Sequence, residues 1–98
     1  MILAIDFDGT IHDIKHPIKG RRMGPPIKGA QETLSRFKEE GHTIIVHSVR
    51  GDDPRHVIKD WMDFYKVPYD SITNIKPQAD FYIDDKGLRF RSWDNIPL

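Results

Sequence analysis

Apolar positions follow two rhythms along this chain. Ile2-Leu3-Ala4-Ile5 is an uninterrupted aliphatic run that stops at Asp6-Phe7-Asp8-Gly9-Thr10, which predicts a parallel strand buried on both faces. Over 27–40 the rhythm changes: Ile27, Ala30, Leu34 and Phe37 recur at helical spacing, with Lys28, Glu32, Arg36 and Glu39 on the other face. Pro25-Pro26 ahead of this stretch and Gly41 after it are start and stop signals. A second β-branched run follows over 43–47, ending at Ser48-Val49-Arg50-Gly51. The intervening helix makes these two strands parallel through a right-handed crossover.

Asp53 as N-cap and Pro54 at the first helical position open a second helix. Its stripe of Val57, Ile58, Trp61, Met62 and Tyr65 reads as core, and Val67-Pro68 ends it. A third strand over 69–73 leads to Asn74-Ile75-Lys76-Pro77, and a fourth over 80–83 ends at Asp84-Asp85 with Lys86-Gly87 as the turn. Leu88-Arg89-Phe90 adds a short edge strand, and the tail over 92–98, with Trp93 and Pro97, packs over the sheet. This order predicts an α/β fold with a three-layer open parallel sheet of Rossmann-like type. The stretch over 11–26, rich in proline and glycine and carrying Lys15, Lys19, Arg21 and Arg22, reads as a short flap beyond the first strand.

Composition narrows the class without naming a function. Ninety-eight residues fit one domain over 1–98. Lysine plus arginine balance aspartate plus glutamate at 15 each, so no global field gathers nucleic acid or an anionic membrane. The absence of cysteine excludes a disulfide framework, a thiol nucleophile and a cysteine-ligated zinc site, and it fits a reducing cytoplasm. No apolar run spans a bilayer, and the amino terminus has no signal-peptide pattern, so the expectation is a soluble cytoplasmic domain.

Candidate chemistry gathers at the strand ends. Asp6, Asp8, Ser48, Lys76, Asp84 and Asp85 all fall at or just after expected carboxyl ends of strands, where open α/β sheets place ligands. Asp6 and Asp8 are two apart on an extended chain and point the same way. Such a pair repels unless a cation or hydrogen-bond donors compensate, and a hard divalent cation, Mg2+ above all, is the natural compensator. Four carboxylates, a hydroxyl and an ammonium on one rim suit phosphoryl chemistry. A metal neutralises the phosphate, a cation and a hydroxyl hold its oxygens, and a carboxylate supplies the nucleophile. The histidines read as structural: His47 as a packed, hydrogen-bonded ring within a strand, and His12, His16, His42 and His56 as turn and helix-edge residues without zinc-ligand spacing.

With these residues in order, the chain resembles the haloacid dehalogenase superfamily of phosphohydrolases. Asp6-Phe7-Asp8-Gly9-Thr10 matches the first family motif in full, Ile44-Ile45-Val46-His47-Ser48 the second, Lys76 the third and Asp84-Asp85 the fourth. The resemblance implies that Asp6 attacks phosphorus to form an aspartyl-phosphate, and that Asp8 protonates the leaving oxygen and later activates water. It implies Mg2+ held by the Asp6 side chain, the Asp8 carbonyl and Asp84 or Asp85, with Ser48 and Lys76 on the phosphoryl oxygens. An acid at position 8 is the phosphatase pattern within the family. The stretch between Thr10 and Ile27 is too short for a cap domain, and Lys76 stands too close to Asp84 for the usual full helix, so the expectation is a minimal, capless member.

The function so implied is a Mg2+-dependent phosphomonoester hydrolase. Its open rim accepts a phosphate on a small molecule or on a polymer end, nucleic acid entering only as a substrate. Gly9, Thr10, Arg50 and the flap cations are the candidate substrate contacts beside Ser48 and Lys76. The alternative from a different class is a non-catalytic Mg2+/phosphate-binding or signalling module.

Overall fold

The structure is a computed structural model that describes residues 1–21, 23–48, 55–75, 77–84, 88–89 and 93, with the backbone alone at 55, 88 and 89. Its elements run β1 (Ile2–Asp6), α1 (Ala30–Glu39), β2 (Thr43–His47), α2 (Arg55–Phe64), β3 (Ser71–Thr73), β4 (Phe81–Asp84) and β5 (Leu88–Arg89). The strands form one sheet in the order β3-β2-β1-β4-β5, with every neighbouring pair parallel. The α/β class and the parallel sheet are therefore as expected. From β1 the chain builds outward to β2 and β3, then returns to lay β4 on the other side of β1. The switch point of the sheet lies between β1 and β4, and the crevice outside the strand ends at such a point is where ligands bind in open α/β sheets.

Alternation along the strands divides the sheet. Leu3, Ile5 and Phe7 are fully buried and share a core with Ile44, Val46 and Ile83, their neighbours on the same face. Both helices supply the rest of that core: Ala30, Leu34 and Phe37 from α1, and Ile58, Trp61 and Met62 from α2. Ala4, Asp6, Ile45, His47, Tyr82 and Asp84 fall on the opposite face by the same alternation. The 77–80 connection meets that face. The Tyr82 hydroxyl donates to the Pro77 carbonyl at 2.6 Å, and Asp80 exchanges hydrogen bonds with the Ile2 backbone in both directions.

The start of α1 differs from the periodicity for a local reason, and the end of α2 agrees with it. The α1 helix starts at Ala30 rather than Ile27 because its N-cap, Gly29, takes a left-handed φ of 93 that interrupts the helical backbone, while the Ile27 amide donates to the Ile11 carbonyl at 2.8 Å. That left-handed backbone suits glycine, and a Cβ there would stand 3.2 Å from the Trp93 Cβ. The α2 helix closes as expected ahead of Val67-Pro68. Lys66 turns left-handed at φ 55, and the Val67 amide reaches back to the Met62 carbonyl. The expected start at Asp53-Pro54, and the tail over 92–98 apart from Trp93, lie outside the described residues, as does Phe90; Trp93 is buried in the core beside Gly29 and Phe37.

Asp70 locks the entry to β3 against α1 and β2. Both its oxygens accept from the Lys38 ammonium at 2.7 Å, one of them also from the Ile44 amide at 2.7 Å, and its own amide donates to the Ile44 carbonyl. The Lys38 hydrogen bond is the main reason its carboxyl sits below the ordinary value of 3.8, against the opposing effect of partial burial. A carboxyl lowered on folding adds stability that is present above its unfolded value and is lost as pH falls through its folded one. Asp70→Asn is expected to cost about 1–2 kcal/mol near neutral pH, the half-exposed ion pair adding little beyond its hydrogen bonds. In urea titrations across pH, the gap from wild type should hold above the ordinary carboxyl value and close below it. A gap independent of pH would show that the charge contributes nothing.

Candidate active site

The rim at the carboxyl end of the sheet is built from β1 outward. β1 ends at Asp6, opposite His47 in register with β2, and one step beyond the Ile5–Ile83 pair that sets Asp84 of β4 alongside. Beyond Asp6 the chain does not continue as a strand. The Phe7 amide donates to the His47 carbonyl, and the Phe7 carbonyl accepts the amides of Thr10, Ile11 and His12, curling residues 8–12 into a compact turn. Gly9 supplies the positive φ of 81 that this turn needs. Thr10 is 2 % exposed, which puts it beneath the turn rather than on its surface.

Asp8 projects from the turn with its carboxylate one-third exposed, and its Oδ1 lies 2.8 Å from Nδ1 of His12, a ring almost fully buried. The Gly24 amide donates to the other nitrogen of that ring, Nε2, at 2.8 Å. The Gly24 carbonyl in turn accepts the Trp61 indole N–H at 2.9 Å. The imidazole stacks on Phe7 with centroids 5.2 Å apart and meets the edge of Trp61 at 5.6 Å. The flap over 11–26 is thus tied to α2 and folded against Asp8. Within it, Asp13 accepts the amides of Lys15 and His16 and pairs with the His16 imidazole, the contact that chiefly holds its carboxyl below the ordinary value.

Ser48 follows β2 at the same edge. Its amide donates to the Thr73 carbonyl, its side chain is buried, and its Oγ finds no hydrogen-bond partner among the described residues. A buried hydroxyl without a partner is costly, and a ligand, an ion or an ordered water would satisfy it. His47 is half-buried, in keeping with a packed ring, and its Nε2 has no partner among the described residues.

Of the residues singled out in the sequence, Asp6, Asp8, Ser48 and Asp84 come to one rim, and Gly9 and Thr10 form the turn that carries Asp8. Arg50, Lys76 and Asp85 lie outside the described residues, as does Arg22. Lys15 and Lys19 are exposed on the flap, whereas the Arg21 guanidinium sits over the Phe64 ring at 5.2 Å, fastening the flap to α2. Among the described residues no three acidic or histidine side chains gather closely enough to enclose a metal ion. The oxygen donors Asp6 and Asp84 are the pair that flank the switch point. His12 is the member of the site that sequence reading missed. Its one visible signal is its place four residues after Asp8.

No protein-family model matches the chain, and no curated protein does. Among solved structures it is similar to a conserved protein from Bacteroides thetaiotaomicron, with a TM-score of 0.75 and 28 % identity over 96 % of this chain and 84 % of that one. The two share a fold. That protein's description names no activity, so the likeness carries the architecture alone. No helix among the described residues is long and apolar enough to cross a membrane.

Proposed function

We propose that the chain is a Mg2+-dependent phosphomonoester hydrolase of the haloacid dehalogenase type. One observation carries this reading: Asp6 and Asp84 end neighbouring strands at the switch point, and directly after β2, on the other side of β1, stands Ser48, whose buried hydroxyl lacks a partner among the described residues. Two carboxylates with water in the remaining positions suit Mg2+, which is commonly held by one or two carboxylates and the substrate phosphate. Asp6 and Asp84 would hold it, with the Asp8 carbonyl and Asp85 as further donors. When bound it offsets the charge that otherwise keeps a phosphate away from Asp6.

The protein's own groups do the rest. An Asp6 carboxylate oxygen attacks phosphorus, the bond to the ester oxygen breaks, and Asp8 delivers its proton to that oxygen as it leaves. In the second half Asp8 takes a proton from water, the resulting hydroxide attacks phosphorus, and the bond to Asp6 breaks to release phosphate. One acid and base thereby serves both halves. Ser48 and Lys76 hold the phosphoryl oxygens during transfer. The short flap leaves the rim open, which suits a phosphate carried on a bulky group as well as a small ester.

The test is phosphate release from a panel of phosphoesters with and without Mg2+. Release that chelation abolishes is expected. Mg2+ and phosphate binding without any turnover would move the chain to the non-catalytic binding or signalling class. Ser48→Ala sharpens the test because its two effects have opposite signs. Removing a buried hydroxyl without a partner should leave the unliganded fold as stable as wild type or firmer by about 1 kcal/mol. Losing its contact to the phosphoryl group should lower kcat/KM about tenfold or more. A Ser48→Ala variant that is destabilised and fully active would show that the hydroxyl serves the fold instead.

A further inference from the structure

We propose that His12 is the positioning residue for Asp8, holding that carboxylate through an Nδ1–H hydrogen bond whose direction is set from the far side of the ring by Gly24; the role rests on the phosphohydrolase reading above. The direction follows from donor chemistry. A backbone N–H only donates, so the Gly24 amide, 2.8 Å from Nε2, requires a lone pair on that nitrogen. The proton of the neutral ring is then on Nδ1, and at 2.8 Å from Asp8 Oδ1 it is donated to the carboxylate.

The ring is built in. Stacking on Phe7 at an interplanar angle of 17° and the Trp61 edge at 76° hold the plane of the ring, and the contacts at its two nitrogens set which way round it sits. Gly24 is held as firmly, because its carbonyl takes the Trp61 N–H, and a Cβ at this position would stand 2.2 Å from the Asp13 carbonyl oxygen. A chain of three hydrogen bonds therefore runs from α2 through the flap to Asp8. Its members differ in access: the Asp8 side chain is 34 % exposed and the His12 side chain 6 %. A substrate reaches the carboxylate and not the imidazole, so His12 acts through Asp8.

An acid held in the right direction matters in proportion to how badly the leaving oxygen needs a proton. An alkyl phosphate needs it strongly, whereas p-nitrophenyl phosphate leaves as a stable anion and needs it little. Loss of the His12 hydrogen bond should therefore act on the ratio of kcat/KM between the two esters, since the second half is common to both. A defect that is only structural lowers both alike.

The experiment compares wild type, His12→Leu and His12→Asn on an alkyl phosphate and on p-nitrophenyl phosphate, and reads the wild-type ring tautomer by nitrogen NMR. His12→Leu is expected to lower kcat/KM, which reports the first half alone, about 100-fold on the alkyl ester and only a few-fold on p-nitrophenyl phosphate, while hydrolysis of the aspartyl-phosphate, in which Asp8 is the base, slows alike for both. His12→Asn, whose amide N–H takes the place of Nδ1–H, should recover most of the loss. The NMR should find the proton on Nδ1. A proton on Nε2 overturns the proposal even where His12→Leu fails to fold, and so does an equal loss of kcat/KM on both esters, which leaves the phosphohydrolase reading standing. A wild type that turns over neither these esters nor any other phosphoester overturns that reading and the positioning role together.

Discussion

Asp6→Asn is expected to reduce Mg2+-dependent phosphate release by about 10⁴-fold or more while leaving the fold unchanged. The substitution preserves shape and replaces the attacking oxygen's charge with a neutral amide, which neither attacks phosphorus nor holds a divalent cation well. Asp6 is half-buried at the end of β1, on the face away from the helix-packed core, so no core contact is lost. Its melting temperature should stay within a few degrees of wild type. Asp8→Asn provides the comparison: as acid and base it should lose about 10²–10⁴-fold, and with a good leaving group its first half should outrun its second. Mass spectrometry of Asp8→Asn after brief exposure to p-nitrophenyl phosphate should then find phosphate bound covalently at Asp6. Activity of Asp6→Asn within tenfold of wild type, in a preparation free of other phosphatases, would remove Asp6 as nucleophile.

Phe7→Ala, the substitution between the two acids, should act on stability instead. The ring is fully buried, stacks on His12, and meets Trp61 edge-on with centroids 5.0 Å apart at 88°. Truncating a buried phenylalanine costs about 3–5 kcal/mol through lost burial and the cavity left behind. A domain of this size is typically stable by only about 5–15 kcal/mol, so the variant should be marginal. Each kcal/mol lowers the melting temperature of such a domain by about 4–8 °C, which puts the expected fall above 10 °C. Phe7→Leu should recover part of it by refilling the space. Urea denaturation followed by tryptophan fluorescence reads this directly, since Trp61 faces the cavity. A midpoint close to wild type would show that the turn over 8–12 does not depend on this ring.

Much of the fold is legible in the residue pattern because it depends on local periodicity. The aliphatic run over 2–5 and the β-branched run over 43–47 became β1 and β2 with the expected parallel pairing, and the Trp61 stripe became core. The α1 helix starts three residues later than the spacing predicts, because Ile27 keeps helical spacing while Gly29 at φ 93 breaks the backbone after it and the Ile27 amide pairs with Ile11, sixteen positions earlier. The same distinction runs through the site. Asp6, Asp8, Ser48 and Asp84 could be anticipated at one rim, since each ends or closely follows a strand and parallel strands end together. His12 could not, because what makes it a partner of Asp8 is the Gly24 amide on its far side and the Trp61 indole behind that.

By itself the chain of residues determined which segments are strands, that they run parallel, and that acids and a hydroxyl crowd their carboxyl ends. These follow from side-chain alternation and from the length of the first crossover, both of which are properties of neighbouring residues. Only the tertiary structure decided that β4 returns to the far side of β1 and opens the switch point between Asp6 and Asp84. It also decided that Ser48 buries its hydroxyl without a partner among the described residues, and that the flap folds back to hand Asp8 a histidine. Those outcomes depend on hydrogen bonds and ring contacts between residues far apart in the chain, whose donors and acceptors carry no mark of one another until the fold brings them within reach.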